Sequence, residues 1–227
     1  MNLSNHANAS IPIRHLAPCW EQNRGQYGCN YWEVYSPKLN RDVKLYSDLE
    51  EEHWLLLESD PNVIAFCEQP VRMLGLVGEG GSSFIDMWVL LSDGSEEYRE
   101  TKYSKDVASS NSQISIQKSW CERNNHIHRV ITEIDLMPFK MQITNCSRYI
   151  GFIPQQPNSR HKKLQQAVYD VISSCESVIL KELIGMFVGS SENQILSAVF
   201  TLVHQGMLDA PLSTKQFSMN MLITPRR

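Results

Sequence analysis

The sequence predicts an α/β chain, a mixed sheet flanked by helices, followed by a small, mostly helical domain. Three observations carry this. Strand-like and helix-like stretches alternate through residues 31–146, a strongly β-prone hairpin stands near the middle, and three apolar-periodic segments follow residue 160. With 227 residues, 42% hydrophobic and 20% charged, the chain is long enough for one medium domain or two small ones. It contains no run of eighteen apolar residues, and Met1–Ser10 lacks the apolar core of a signal peptide. A cytoplasmic location is therefore expected.

Taken in order, residues 1–30 are polar and read as an extended, partly disordered arm. Asn30–Tyr35 and Asp42–Tyr46 read as short strands around a turn at Pro37–Asn40. Ser47 or Asp48 suits a helix N-cap, and Leu49, Trp54, Leu55 and Leu57 recur at helical spacing until Asp60-Pro61 stops the helix. Val63–Glu68 and Val71–Val77 follow as strands. Phe84–Leu91 and Glu96–Tyr103 form a hairpin around Ser92-Asp93-Gly94, Ser110–Asn124 a helix, and Arg129–Ile134 a further strand.

The Pro/Gln/Asn/Ser stretch Phe152–Ser159 sets a linker over residues 151–163. Beyond it, Leu164–Ser174, Ser177–Phe187 and Glu192–Gly206 read as helices, with Gly206 as a C-terminal stop. Met207–Ala210 and Phe217–Ile223 suit the two strands of a wing. Three helices and a wing make a winged-helix-like domain over residues 164–227.

The six cysteines are scattered, with no CxxC pair, so reduced thiols are expected. A metal site built from Cys19, Cys29, His6 and His15 is the alternative. The net charge of −4 does not announce nucleic-acid binding, but it is unevenly spread. Residues 1–146 carry 13 basic and 20 acidic side chains; residues 147–227 carry 8 and 5. The acidic part suits metal ligands and the basic part suits phosphate contact, although two ordinary solvated surfaces would give the same balance.

The central hairpin holds Asp86 on one arm and Glu100-Thr101-Lys102 on the other. Alternation along a strand puts Glu100 and Lys102 on one face. If Gly94 is left-handed in a three-residue loop, paired positions sum to 186 and Asp86 lies across from Glu100. Two neighbouring carboxylates beside a lysine suit a hard divalent cation such as Mg²⁺ acting on a phosphodiester. An exposed hairpin with alternating charge would give the same pattern. The apolar setting Phe84-Ile85-Asp86-Met87-Trp88-Val89 leans against that, because an unpaired buried carboxylate is costly.

Asp followed by Glu-x-Lys is the PD-(D/E)xK nuclease pattern. Tyr46-Ser47-Asp48-Leu49-Glu50, then Leu57-Glu58-Ser59-Asp60-Pro61-Asn62-Val63, then Cys67-Glu68-Gln69-Pro70 precede it in order. From about Arg24 to Asp135 the chain resembles the N-terminal domain of the TnsA endonucleases. The resemblance implies a restriction-endonuclease-like core over residues 31–150. It also implies bacterial origin, DNA as substrate and cutting at the 5′ ends of a transposon beside a TnsB-type transposase and a TnsC-type AAA+ ATPase. Glu50, Asp86, Glu100 and Lys102 match the catalytic positions. Glu50, Asp86, Glu100 and the Thr101 carbonyl match the holders of Mg²⁺, for which Mn²⁺ may substitute. Ile85 and Tyr103 depart from the family pattern, which touches fine geometry rather than a ligand. An autonomous restriction- or repair-type nuclease and a non-catalytic scaffold are the alternative readings.

Gln113 and Gln117 fit either the active site or DNA, but a solvated helix face is the simpler reading. Glu51, Glu52 and Glu58 read as surface charge. The third C-terminal helix carries Glu192, Asn193, Gln194 and His204 but no Lys or Arg, which favours partner docking over DNA. Arg148, Arg160, His161, Lys162, Lys163, Arg226 and Arg227 are the basic residues left for DNA or partner contact.

Overall fold

Residues 13–20, 30–75 and 81–226 are described by the structure, a computed structural model. Most of the expected N-terminal arm, with His6 and Cys29, lies outside the described residues, as do the end of the Val71–Val77 strand and Arg227.

β1 (Trp32–Ser36) and β2 (Arg41–Leu45) pair antiparallel around a turn in which Asn40 takes a φ of 54°. α1 (Asp48–Ser59) begins where Ser47 accepts the Glu50 N–H and ends at Asp60, ahead of Pro61. Then come β3 (Val63–Glu68), β4 (Arg72–Leu74), β5 (Ser82–Phe84), β6 (Met87–Leu91) and β7 (Glu96–Thr101). The strand expected over Phe84–Leu91 is interrupted at Ile85–Asp86, because β5 pairs with β4 while β6 pairs with β3 and β7.

α2 (Asn111–Arg123) leads to β8 (Ile127–Ile131), α3 (Glu133–Leu136) and α4 (Lys140–Tyr149). The strand expected over Arg129–Ile134 stops at Ile131, because Thr132 and Asp135 close a capping box that starts α3. α5 (Ser159–Cys175) begins earlier than its apolar period suggests, at an Asn158 cap. The chain closes with β9 (Val178–Ile179), α6 (Leu180–Met186), α7 (Glu192–His204), β10 (Leu208–Asp209) and β11 (Leu222–Pro225).

Two compact units result. One holds the described part of Met1–Cys29 with Asn62–Ile131. Its sheet runs β3-β6-β7-β8, antiparallel except for the parallel pair β7–β8. A parallel pair needs a crossover connection, and α2 supplies it. Phe66, Met87, Trp88, Val89, Leu90 and Tyr98 are buried at its core.

The other unit joins Asn30–Pro61 to Thr132–Arg227. The expected division at residues 31–150 is therefore drawn differently: β1, β2 and α1 cluster with the C-terminal stretch. Residues 151–163 contain a 3-10 turn and the first turn of α5. The helix expected over Ser177–Phe187 opens instead with β9, and the strand expected over Phe217–Ile223 starts only at Leu222; these strands form a three-stranded sheet β10-β11-β9.

Glu58, expected on the surface, is buried at 1% exposure. It accepts hydrogen bonds from Ser36 Oγ (2.6 Å), Lys38 N (2.7 Å) and His204 Nε2 (2.8 Å). His204 thus turns into this unit rather than outward from α7. No helix among the described residues is long and apolar enough to cross a membrane.

Candidate active site

The hairpin between β6 and β7 sets the geometry. Gly94 has a φ of 84°, and the pairs Met87↔Arg99 through Leu90↔Glu96 hold the register expected from the turn. That register brings Asp86, at the head of β6, level with the end of β7. Thr101 locks it there: its N–H and its hydroxyl both donate to Asp86 Oδ2 at 2.8 Å. The Asp86 carbonyl accepts the Gln69 N–H at 2.9 Å. Both bonds go to Oδ2, and among the described residues none reaches Oδ1.

Glu100 is fully buried. Its Oε1 accepts from Lys102 Nζ at 2.9 Å and from Gln113 Nε2 at 2.7 Å, and its Oε2 accepts from Gln117 Nε2 at 2.7 Å. Gln117 is also fully buried and donates to Ser83 Oγ and the Phe84 carbonyl. Its amide orientation turns Oε1 toward His128 Nε2, 3.2 Å away. That contact needs a proton on Nε2, and burial pushes the His128 pKa down, toward the neutral ring. The solvated face expected for Gln113 and Gln117 is thus corrected: both amides point at Glu100.

Burial raises both carboxyl pKa values. Asp86 is raised by burial, against the Thr101 hydrogen bonds and the nearby Lys102 charge. Glu100 is pushed up to about 8 by burial and then by the Asp86 charge, with Lys102 opposing. Two desolvated carboxyls competing over one lysine lack positive charge. A divalent cation would supply it. Among the described residues no three or more His, Cys, Asp and Glu side chains form a metal-ligand group. The chemistry of a carboxylate pair nevertheless suits a hard divalent cation, which takes one or two protein carboxylates and keeps several of its waters.

Asp86, Glu100, Thr101, Lys102, Gln113 and Gln117 are brought together within one unit. Glu50 belongs to the other, where its carboxylate accepts from Tyr46 N (3.1 Å) and Ser47 Oγ (3.2 Å) at the start of α1. Arg148, Arg160, Lys162 and Lys163 are exposed there. His15, considered as a metal ligand with Cys19, Cys29 and His6, lies 2.9 Å from the Tyr98 hydroxyl, and His6 and Cys29 lie outside the described residues. Sequence reasoning missed Ser83, His128 and Gln69. Gln69 is buried with its Oε1 unpartnered and has a φ of 35°, and the Gln-Pro dipeptide was the only hint of its constraint.

A mixed sheet with an aspartate heading one strand and Glu-x-Lys closing the next defines a PD-(D/E)xK-like nuclease core. Residues 60–133 match the family model described as TnsA-like endonuclease N terminal, which bears out the resemblance read from the sequence. That stretch is thus similar to the N-terminal domain of TnsA-like endonucleases. The match covers about a third of its length and includes Asp86, Glu100 and Lys102 but not Glu50. No curated protein matches the chain.

Proposed function

We propose that this chain is a Mg²⁺-dependent DNA endonuclease that cuts the 5′ ends of a transposon during cut-and-paste transposition. Its partners in this reading are a TnsB-type transposase and a TnsC-type AAA+ regulator. The observation that carries it is the buried Glu100 carboxylate, 2.9 Å from Lys102 Nζ, beside the half-buried Asp86 inside the matched domain.

Asp86, Glu100 and the Thr101 carbonyl would hold the cation. When bound, the cation supplies Lewis-acid stabilisation of the phosphodiester and lowers the pKa of water. The chain's own residues do the rest. Thr101 fixes one Asp86 oxygen and leaves the other to face a ligand. Gln113 and Gln117 hold the Glu100 carboxylate from both sides, so its orientation costs little to reorganise during reaction. Lys102 Nζ, now on Glu100, is placed to donate to the attacking water or to a phosphate oxygen. Low overall basicity agrees with DNA being delivered by partners rather than captured by this chain.

The test is strand cleavage of a labelled transposon-end duplex in Mg²⁺, with and without the two partner proteins. Cutting of the 5′-end strand only with partners, lost in Asp86→Ala and Lys102→Ala, supports the assignment. Cutting without partners points to an autonomous nuclease. Normal assembly with no cutting leaves a scaffold.

A further inference from the structure

We propose that a cleft in the second unit, enclosed by β1, α1 and residues 147–155, is a docking site for an arginine side chain of a partner protein. This inference does not rest on the nuclease reading.

The cleft has a volume of about 500 Å³, and its lining includes Trp32, Tyr35, Glu51, Trp54, Ser147 and Gln155. The polar edges of two aromatic walls are already committed. Trp32 Nε1 donates to Asp48 Oδ1 at 3.0 Å, and the Tyr35 hydroxyl donates to Asn40 Oδ1 at 2.7 Å. The rings themselves remain available for contact. Trp54 is 2% exposed, yet its indole N–H finds no acceptor. A buried indole without a partner is uncommon, and a ligand carrying an acceptor would supply one.

Glu51 is half-buried in the cleft, and no hydrogen bond or ion pair holds its carboxylate among the described residues. Lys140, whose charge reaches Glu51, is ion-paired with Glu52 at 2.5 Å. Among the described residues no lysine or arginine lines the cleft. A desolvated carboxylate beside aromatic faces asks for a cation. Arginine fits better than lysine, because a planar guanidinium stacks on a ring while donating to a carboxylate, and the peptide bearing it brings carbonyl acceptors. Phosphate, and hence a nucleic-acid backbone, is repelled by the same carboxylate.

The experiment titrates the full chain with acetyl-Gly-Arg-Gly-amide while following the tryptophan indole N–H resonances. Counterparts with leucine or glutamate replacing the arginine, and a short single-stranded oligonucleotide, are run alongside. The expected result is a saturable shift of the Trp32 and Trp54 signals with the arginine peptide alone. Glu51→Gln weakens it about tenfold or more. Trp32→Ala also weakens it, while Asp86→Ala does not. A thermal unfolding transition matching that of the unsubstituted chain reports that each variant is folded. The proposal is overturned by no saturable shift, by equal binding of the leucine peptide, or by binding that survives Glu51→Gln. Oligonucleotide binding that survives Glu51→Gln would overturn it in favour of base stacking.

Discussion

Glu100 is fully buried and surrounded by three donors, yet its pKa stands near 8 because burial and Asp86 outweigh them. In the unfolded chain it would ionise as an ordinary glutamate, so the folded state binds more protons across the interval between. The resulting stability is fully present below the ordinary carboxylate range and declines as pH rises toward about 8. Metal-free protein should therefore lose thermal stability between pH 5 and pH 8, and Glu100→Gln should flatten that slope. A calorimetric pH series checks this; an equal slope in the variant would rule it out. Because the cation binds the ionised form, Mn²⁺ affinity should rise over the same interval, with proton release measurable by titration in buffers of different ionisation enthalpy. Asp86, Glu100 and Lys102 were legible because strand alternation and one turn residue fix their faces. Gln113 and Gln117 were not, since a polar helix face looks the same whether it meets water or a buried carboxylate.

At the scale of elements, the hairpin turn decides whether the site exists. Gly94 holds a φ of 84°, a conformation that costs a residue with a Cβ about 1–2 kcal/mol. Gly94→Ala should lower the melting temperature by roughly 2–4 °C per kcal/mol lost. If the loop rearranges to avoid the strain, a register slip of one residue turns Asp86 away from Glu100. Nuclease activity would then fall further than stability does, which paired melting and cleavage measurements on this variant would reveal. α1 was readable from end to end because Ser47 and Asp60-Pro61 mark its limits locally. The break at Ile85–Asp86 was not readable, because it arises from which strands pair: β5 meets β4, while β6 meets β3 and β7. α5 likewise starts before its apolar stripe, since Asn158 accepts the His161 N–H and the first turn is polar.

For the molecule as a whole, buried polar groups explain why residues 30–61 cluster with the C-terminal stretch, which no composition shift announces. Glu58 on α1 accepts from His204 on α7, and Lys38 Nζ donates to the Leu57 and Asp60 carbonyls at 2.8 and 2.7 Å. Asn145 on α4 is fully buried. It donates to the Leu212 and Lys215 carbonyls and accepts the Phe217 N–H, all within 2.8 Å. Breaking a buried charged network by removing one partner costs roughly 3–5 kcal/mol, so Glu58→Ala should strongly destabilise this unit. A fragment ending at residue 150 goes further, because it removes His204 and every partner of Asn145 while keeping Glu58 and Asn145. Each buried group so orphaned costs about 1–3 kcal/mol, on top of the exposed apolar faces of α1 and α4. A 1–150 fragment should therefore fail to unfold cooperatively and should expose rapidly exchanging amides in β1, β2 and α1, while the full chain protects them. Cooperative melting of that fragment with protected α1 amides would instead mark residue 150 as a true domain boundary. It would also reduce the Glu58 and Asn145 networks to local trim.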